Sequence, residues 1–151
     1  MNQKNRDAFL TMIAVSEGTN DIGDHGYNVV VGGSLFDDYS DHPRKKVWIE
    51  RIDNFSTAAG RYQILARYYD HYKKALNLPD FSPGSQDKIA MQLIRECKAL
   101  DDIDAGRFKA AVAKCKSRWA SLPGAGYGQH ENKIDKLELA YTNAGGTSEV
   151  A

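Results

Sequence analysis

A chain of 151 residues with 20 basic and 20 acidic side chains carries no formal net charge, which gives no electrostatic footprint for nucleic acid or an anionic membrane. The length is that of one domain and buries roughly 68–70% of the unfolded surface, so the expectation is a single domain over residues 1–151 that folds without a disulfide or a metal. No run approaches the ~20 apolar residues of a membrane span, and Thr11 interrupts the short apolar run Phe9–Val15 that could otherwise pass for a secretory signal.

Residues 5–17 read as a first helix, with Phe9, Leu10 and Ile13 at helical spacing. Gly18 reads as its left-handed stop. Residues 19–42 are Gly-rich and of mixed polarity. Within them, residues 27–31 and 35–36 flank Gly32-Gly33-Ser34 and predict a small β-hairpin. Residues 45–55 carry Val47, Trp48, Ile49, Ile52 and Phe55 and read as an exposed apolar segment of the kind that binds something. Four helices are predicted beyond it, over residues 60–76, 85–100, 104–122 and 130–143, the second starting after Ser82-Pro83. Residues 146–151 read as a loose tail. The fold class is α+β: mostly helical, with a small β-element after the first helix.

Glu17 is the residue that stands out. It lies four positions after Ile13 and seven after Leu10, on the apolar face of the first helix. It also sits at the negative end of the helix dipole. Both circumstances favour the protonated carboxyl and predict a raised pKa, as a general acid needs. Position alone favours the plainer reading of a solvated or Arg-paired helix end.

Two further stretches carry more polarity or glycine than packing needs. Residues 59–63, Ala-Gly-Arg-Tyr-Gln, are expected at the start of the second predicted helix, where backbone donors, Tyr62 and Gln63 could meet a polar ligand. Arg61 reads as an ion-pair partner or a ligand contact. Residues 120–129 hold three glycines, a proline and Tyr127 between two helices. Such a loop lets a ligand approach the backbone, with Gly126 and Gln129 beside a stacking Tyr127. His25, His42, Asp37, Asp38 and Asp41 match no metal spacing, so no metal or other cofactor is expected, and the two histidines read as hydrogen-bonding groups of the β-element. Cys97 and Cys115 fall on apolar helix faces and read as buried thiols, with a separation that permits a disulfide without requiring one.

Collinear blocks along nearly the whole chain resemble one family. They run through residues 8–10, Ser16-Glu17-Gly18-Thr19, His25-Gly26-Tyr27 and Val31-Gly32-Gly33. They continue through residues 38–45, 59–63, 80–83, Ser85-Gln86-Asp87, 119–129 and 144–147. Together these resemble the lambda-type phage endolysins, lytic transglycosylases of lambdoid bacteriophages with a lysozyme-like fold. The chain departs from the family in a shorter loop after Thr19 and in residues 46–56.

The resemblance implies cleavage of the β-1,4 bond between N-acetylmuramic acid and N-acetylglucosamine in peptidoglycan, with Glu17 as the single catalytic residue. It implies closure of a 1,6-anhydro ring, and the candidate substrate contacts are Tyr62, Gln63, Gly126, Tyr127 and Gln129 of the two stretches above. A hydrolase would need a second carboxylate. The lysozymes of T-even phages carry an Asp and a Thr nine and fifteen residues after their glutamate, and here those positions are Gly26 and Gly32. Asp21 and Asp24 remain candidates for a muramidase-type hydrolase. A non-catalytic peptidoglycan-binding protein is the other alternative. The expected partners are glycan strands and, functionally but without contact, a holin. The expected state is a monomer held in the host cytoplasm until it is released to the periplasm, with no membrane insertion and no nucleic acid.

Overall fold

Most helices of this protein end on a residue in the left-handed conformation, and these stops divide the chain. The computed structural model describes residues 1–124 and 132–149. The elements run α1 (Gln3–Glu17), β1 (Val47–Ile49), a 3-10 turn (Glu50–Ile52), β2 (Asn54–Ser56), α2 (Ala66–Ala75), α3 (Pro83–Glu96), α4 (Leu100–Asp104), α5 (Phe108–Cys115) and α6 (Ile134–Asn143). After α1 comes Gly18 at φ +77°; after α2, α3, α4 and α6 come Asn77, Lys98, Gly106 and Gly145, all at positive φ. These last four each carry a six-residue closing bond, such as Arg107 N–H to the Asp102 carbonyl at 2.7 Å.

The chain divides into two compact units, residues 1–16 with 92–151 and residues 17–91. In the first unit, the rings of Phe9, Phe108 and Tyr141 meet at centroid distances of 4.6–6.5 Å, among buried Met12, Ile13, Ile94, Ile103, Leu122 and Leu137. The single helix predicted over residues 104–122 is instead broken. Gly106, at φ +81°, ends α4, and a Cβ there would come within 3.2 Å of the Thr147 carbonyl. The break places Asp102, which is buried, against both Arg107 (2.7 Å) and Lys114 (2.6 Å). The C-terminal segment is docked rather than loose through residue 149. Buried Asn5 accepts from the Thr147 N–H at 2.9 Å and donates to the Ile103 carbonyl at 2.9 Å, and Glu149 N–H bonds the Gly106 carbonyl.

The second unit is built on backbone bridges more than on strands. The predicted hairpin over residues 27–36 is reduced to the bridge Val29–Leu35 around its glycine turn, with Val30 N–H on the Ser34 carbonyl at 2.7 Å and Phe36 N–H on the Asn28 carbonyl at 2.9 Å, while Val30 also bridges Ala59, which in turn pairs with Ile64. The two-stranded sheet falls later: β1 pairs antiparallel with β2, with Trp48 opposite Phe55. Both rings are exposed and meet edge to face at 5.2 Å. Helix α2 begins six residues later than the predicted Gly60 start because Gly60 and Gln63 both hold positive φ. The Thr57 hydroxyl then accepts the Ala66 N–H at 3.0 Å and satisfies an otherwise orphan donor.

His42 stands in the core of this unit, between Tyr69 (5.8 Å) and Phe81 (4.8 Å). Its Nε2 meets the Ile64 carbonyl at 2.8 Å and its Nδ1 accepts the Arg44 N–H at 2.9 Å. These partners require the neutral Nε2–H tautomer. Burial holds the imidazole pKa below its ordinary value. A neutral folded-state base contributes its full stability above the unfolded pKa of about 6.5 and loses it as pH falls toward the lower folded pKa. Urea unfolding of the wild type should therefore lose stability between about pH 7 and pH 5. His42→Gln should start less stable and flatten that dependence; an unchanged slope would remove His42 as its source.

Candidate active site

Glu17 is the last residue of α1, half-buried, and the chain turns away from the helix at Gly18. The helix period places it on the edge of the apolar face rather than inside the core. Residues 18–26 then form turns with no strand or helix, so their position depends on side-chain anchors.

The main anchor within this unit is Arg61, 7% exposed. Its guanidinium donates to the Asn20 side-chain carbonyl at 2.9 Å and to the His25 backbone carbonyl at 2.6 Å. Its own carbonyl accepts the Thr19 hydroxyl at 2.6 Å. The cation lies over Tyr27 (5.4 Å) and Tyr62 (5.9 Å), where the ring faces offset part of its desolvation. Arg61 is thus tied to both sides of the loop that leaves Glu17.

A second layer holds Arg61. Gln86 accepts the Arg61 N–H at 3.0 Å and donates to the carbonyls of Tyr27 (3.0 Å) and Phe81 (2.9 Å). A side chain at Gly60 would run into the Gln86 amide, so the 59–64 turn needs glycine there, at φ +83°. Asp87 Oδ1 accepts both phenols, Tyr62 at 2.6 Å and Tyr27 at 2.9 Å. Burial and the Asp87 charge push both phenol pKa values up, so they remain donors.

The expected site residues fall unevenly. Tyr62 is 1% exposed and presents no open ring face; it supports Arg61 from below. Gln63 is half-buried, and its amide folds back onto the Gly60 carbonyl at 2.9 Å. The 59–63 stretch is a turn and not a helix N-terminus. Gly126, Tyr127 and Gln129 lie outside the described residues. In the first unit, the described residues on either side are placed: Ser121 Oγ meets Ser16 Oγ at 2.7 Å, and Asn132 donates to the Ser16 carbonyl at 2.9 Å. The residue before Glu17 is therefore pinned by Ser121 and Asn132.

The candidates for a second carboxylate are also placed. Asp21 and Asp24 are both exposed, and Asp24 accepts the Tyr39 hydroxyl at 2.8 Å. At Gly26, φ is +90° and an added Cβ would lie 2.7 Å from the Thr19 carbonyl, so that position has no room for a side chain. His25 and the acidic residues near it do not converge: no cluster of three or more His, Cys, Asp or Glu among the described residues is placed to hold a metal. No helix among them is long and apolar enough to cross a membrane.

Sequence reasoning alone assigned no anchoring role to Thr19, Asn20, Gln86, Asp87, Ser121 or Asn132. Most stand in the family-like blocks, but only contacts between residues distant in sequence reveal what they do. Asp87→Ala should leave two enclosed phenols without their acceptor and cost about 2–4 kcal/mol in urea unfolding. Asp87→Asn, which keeps an acceptor oxygen, should recover most of it. Equal losses would mean that the carboxylate matters through charge rather than through these bonds.

The endolysin family model matches residues 7–148. The chain is 54% identical over 146 residues to the endolysin of Escherichia phage lambda, covering 94% of this chain and 92% of that protein. It is 51% identical over 155 residues to the endolysin of Escherichia phage P2, covering 95% and 94%. Among solved structures, bacteriophage lambda lysozyme complexed with a chitohexasaccharide matches with a TM-score of 0.93 at 52% identity, over 99% of this chain and 98% of that one. A second structure, lysozyme from bacteriophage lambda, matches at 0.90 with the same identity and coverage. The α+β architecture is lysozyme-like.

Proposed function

The chain belongs to the endolysin family, whose members lyse peptidoglycan, and on that premise we propose that it is a lytic transglycosylase with Glu17 as its one catalytic residue. The substrate is the peptidoglycan glycan strand, cut between N-acetylmuramic acid and N-acetylglucosamine. The chitohexasaccharide held by the lambda lysozyme, a β-1,4-linked amino-sugar chain, supports a saccharide substrate of this class.

In this reading Glu17 first donates its proton to the glycosidic oxygen as the bond to C1 of the muramic acid breaks. The resulting carboxylate then takes the proton of the C6 hydroxyl on the same sugar. That oxygen attacks C1 and closes the 1,6-anhydro ring. The proton returns to Glu17, and no water is consumed. The network around Arg61 holds the loop that leaves Glu17, and positioning of this kind is worth orders of magnitude in rate. We read the chain as a monomer that stays in the host cytoplasm until a holin, which it does not touch, permeabilises the membrane.

The observation that carries the transglycosylase reading over the hydrolase is the geometry at Gly26, with Asp21 and Asp24 turned to solvent. A hydrolase places two carboxylates about 5–5.5 Å or 6.5–9.5 Å apart. Intramolecular attack by the C6 hydroxyl needs one.

Two measurements test it. Glu17→Gln should lower clearing of a purified peptidoglycan suspension by roughly 10²–10⁴-fold with the circular dichroism spectrum unchanged. Substantial residual activity would place the acid elsewhere. Mass spectrometry of muropeptides released by the wild type should show products one water lighter than hydrated ones and resistant to borohydride. Reducing-end products would establish water as the nucleophile and return Asp21 and Asp24 to consideration.

A further inference from the structure

Two thiols that the Glu17 network does not use lie in contact within the unit of residues 1–16 and 92–151. Cys97 immediately follows α3, its N–H still bonded to the Leu93 carbonyl at 3.0 Å. Cys115 is the last residue of α5 and is fully buried. The two thiols interact with each other, and Lys114 Nζ on α5 reaches the Lys98 carbonyl at 3.5 Å, tying the two helix ends together. Arg118 is itself held by Glu96 at 3.0 Å, and its N–H closes the turn after α5 on the Cys115 carbonyl at 3.0 Å. Cys97 is half-buried, open to a small reagent, and Cys115 is shielded behind it.

We propose that Cys97 and Cys115 form a dithiol modification site, which a small disulfide converts in the folded protein to a stabilising intramolecular cross-link between the ends of α3 and α5. The roles of the two sulfurs differ. The hydrogen bond from Cys115, with Ser117 and the Arg118 charge, holds the Cys97 thiol below its ordinary pKa. The same contact, then burial, pushes Cys115 up. Cys97, the sulfur a reagent can reach, is the attacking thiol and Cys115, enclosed behind it, the resolving one.

With glutathione disulfide as oxidant, the Cys97 thiolate attacks one of its sulfurs. The disulfide bond breaks, one glutathione thiolate leaves, and a mixed disulfide remains on Cys97. Cys115 gives up its proton to solvent and attacks the Cys97 sulfur, expelling the second glutathione thiolate. Two protein thiols are oxidised and one glutathione disulfide is reduced to two glutathiones. The cross-link closes a short loop and restricts the unfolded chain, so the oxidised form should outlast the reduced one on heating. A disulfide-rich compartment would staple the protein on arrival.

The test uses the full reduced chain and glutathione disulfide in native buffer. The expected product is lighter by two hydrogens, has no thiol left to alkylate after denaturation, carries the 97–115 link in its peptide map and melts above the reduced form. Cys115→Ser should stop at one glutathione on Cys97, and Cys97→Ser should take none while folded. The proposal is overturned by a wild type that keeps both alkylatable thiols or accumulates mixed disulfide without closing. An oxidised chain that melts below the reduced one overturns it too. The wild-type readouts stand even if a variant folds poorly.

Discussion

A buried cation, Arg61, governs the segment that leaves α1 after Glu17. Residues 18–26 have no regular structure, so they cannot hold Glu17 in place through a ladder of their own. Arg61 supplies the missing constraint by donating to Asn20 and to the His25 carbonyl and by taking Thr19 onto its own carbonyl. Burying a guanidinium is costly unless its donors are used and its charge is compensated. The planar fork suits this duty better than a lysine, because it donates in fixed directions while its face stacks on Tyr27 and Tyr62. Those rings are held in turn by Asp87, and the backbone of Arg61 by Gln86.

This arrangement explains why glycine recurs around the site. Gly60 lets the 59–64 turn rest on the Gln86 amide, and Gly26 lets the loop close on Thr19. The same close approach that fastens the loop removes the space in which a second carboxylate would stand at position 26.

The helix stops show how local and distant forces divide the work. Gly18, Gly106 and Gly145 adopt positive φ at little cost, while Asn77 and Lys98 do so under the pull of the six-residue closing bond. At Gly106 the break is more than an interruption. It brings Asp102 to Arg107 and Lys114 and opens the place where residues 147–149 dock. The tail is ordered by Asn5, a polar residue on α1 whose burial is repaid by bonds to Ile103 and Thr147.

Helical periodicity by itself determined where the first helix ends and the prominence of Glu17 beside Gly18, because these depend on neighbours three and four positions apart. The collinear motifs determined the family. Tertiary structure decided the rest. The two-stranded sheet fell at residues 47–56, while residues 29–35 kept a single bridge and Val30 also bridged Ala59, a partner far along the chain. Whether Tyr62 faces a ligand or the interior turned on Asp87, which accepts its hydroxyl from α3. Cys97 and Cys115 read alike as apolar-face thiols, yet tertiary packing leaves Cys97 half-buried and encloses Cys115. Periodicity records which face a side chain shares; it carries no record of which distant atom waits on the other side.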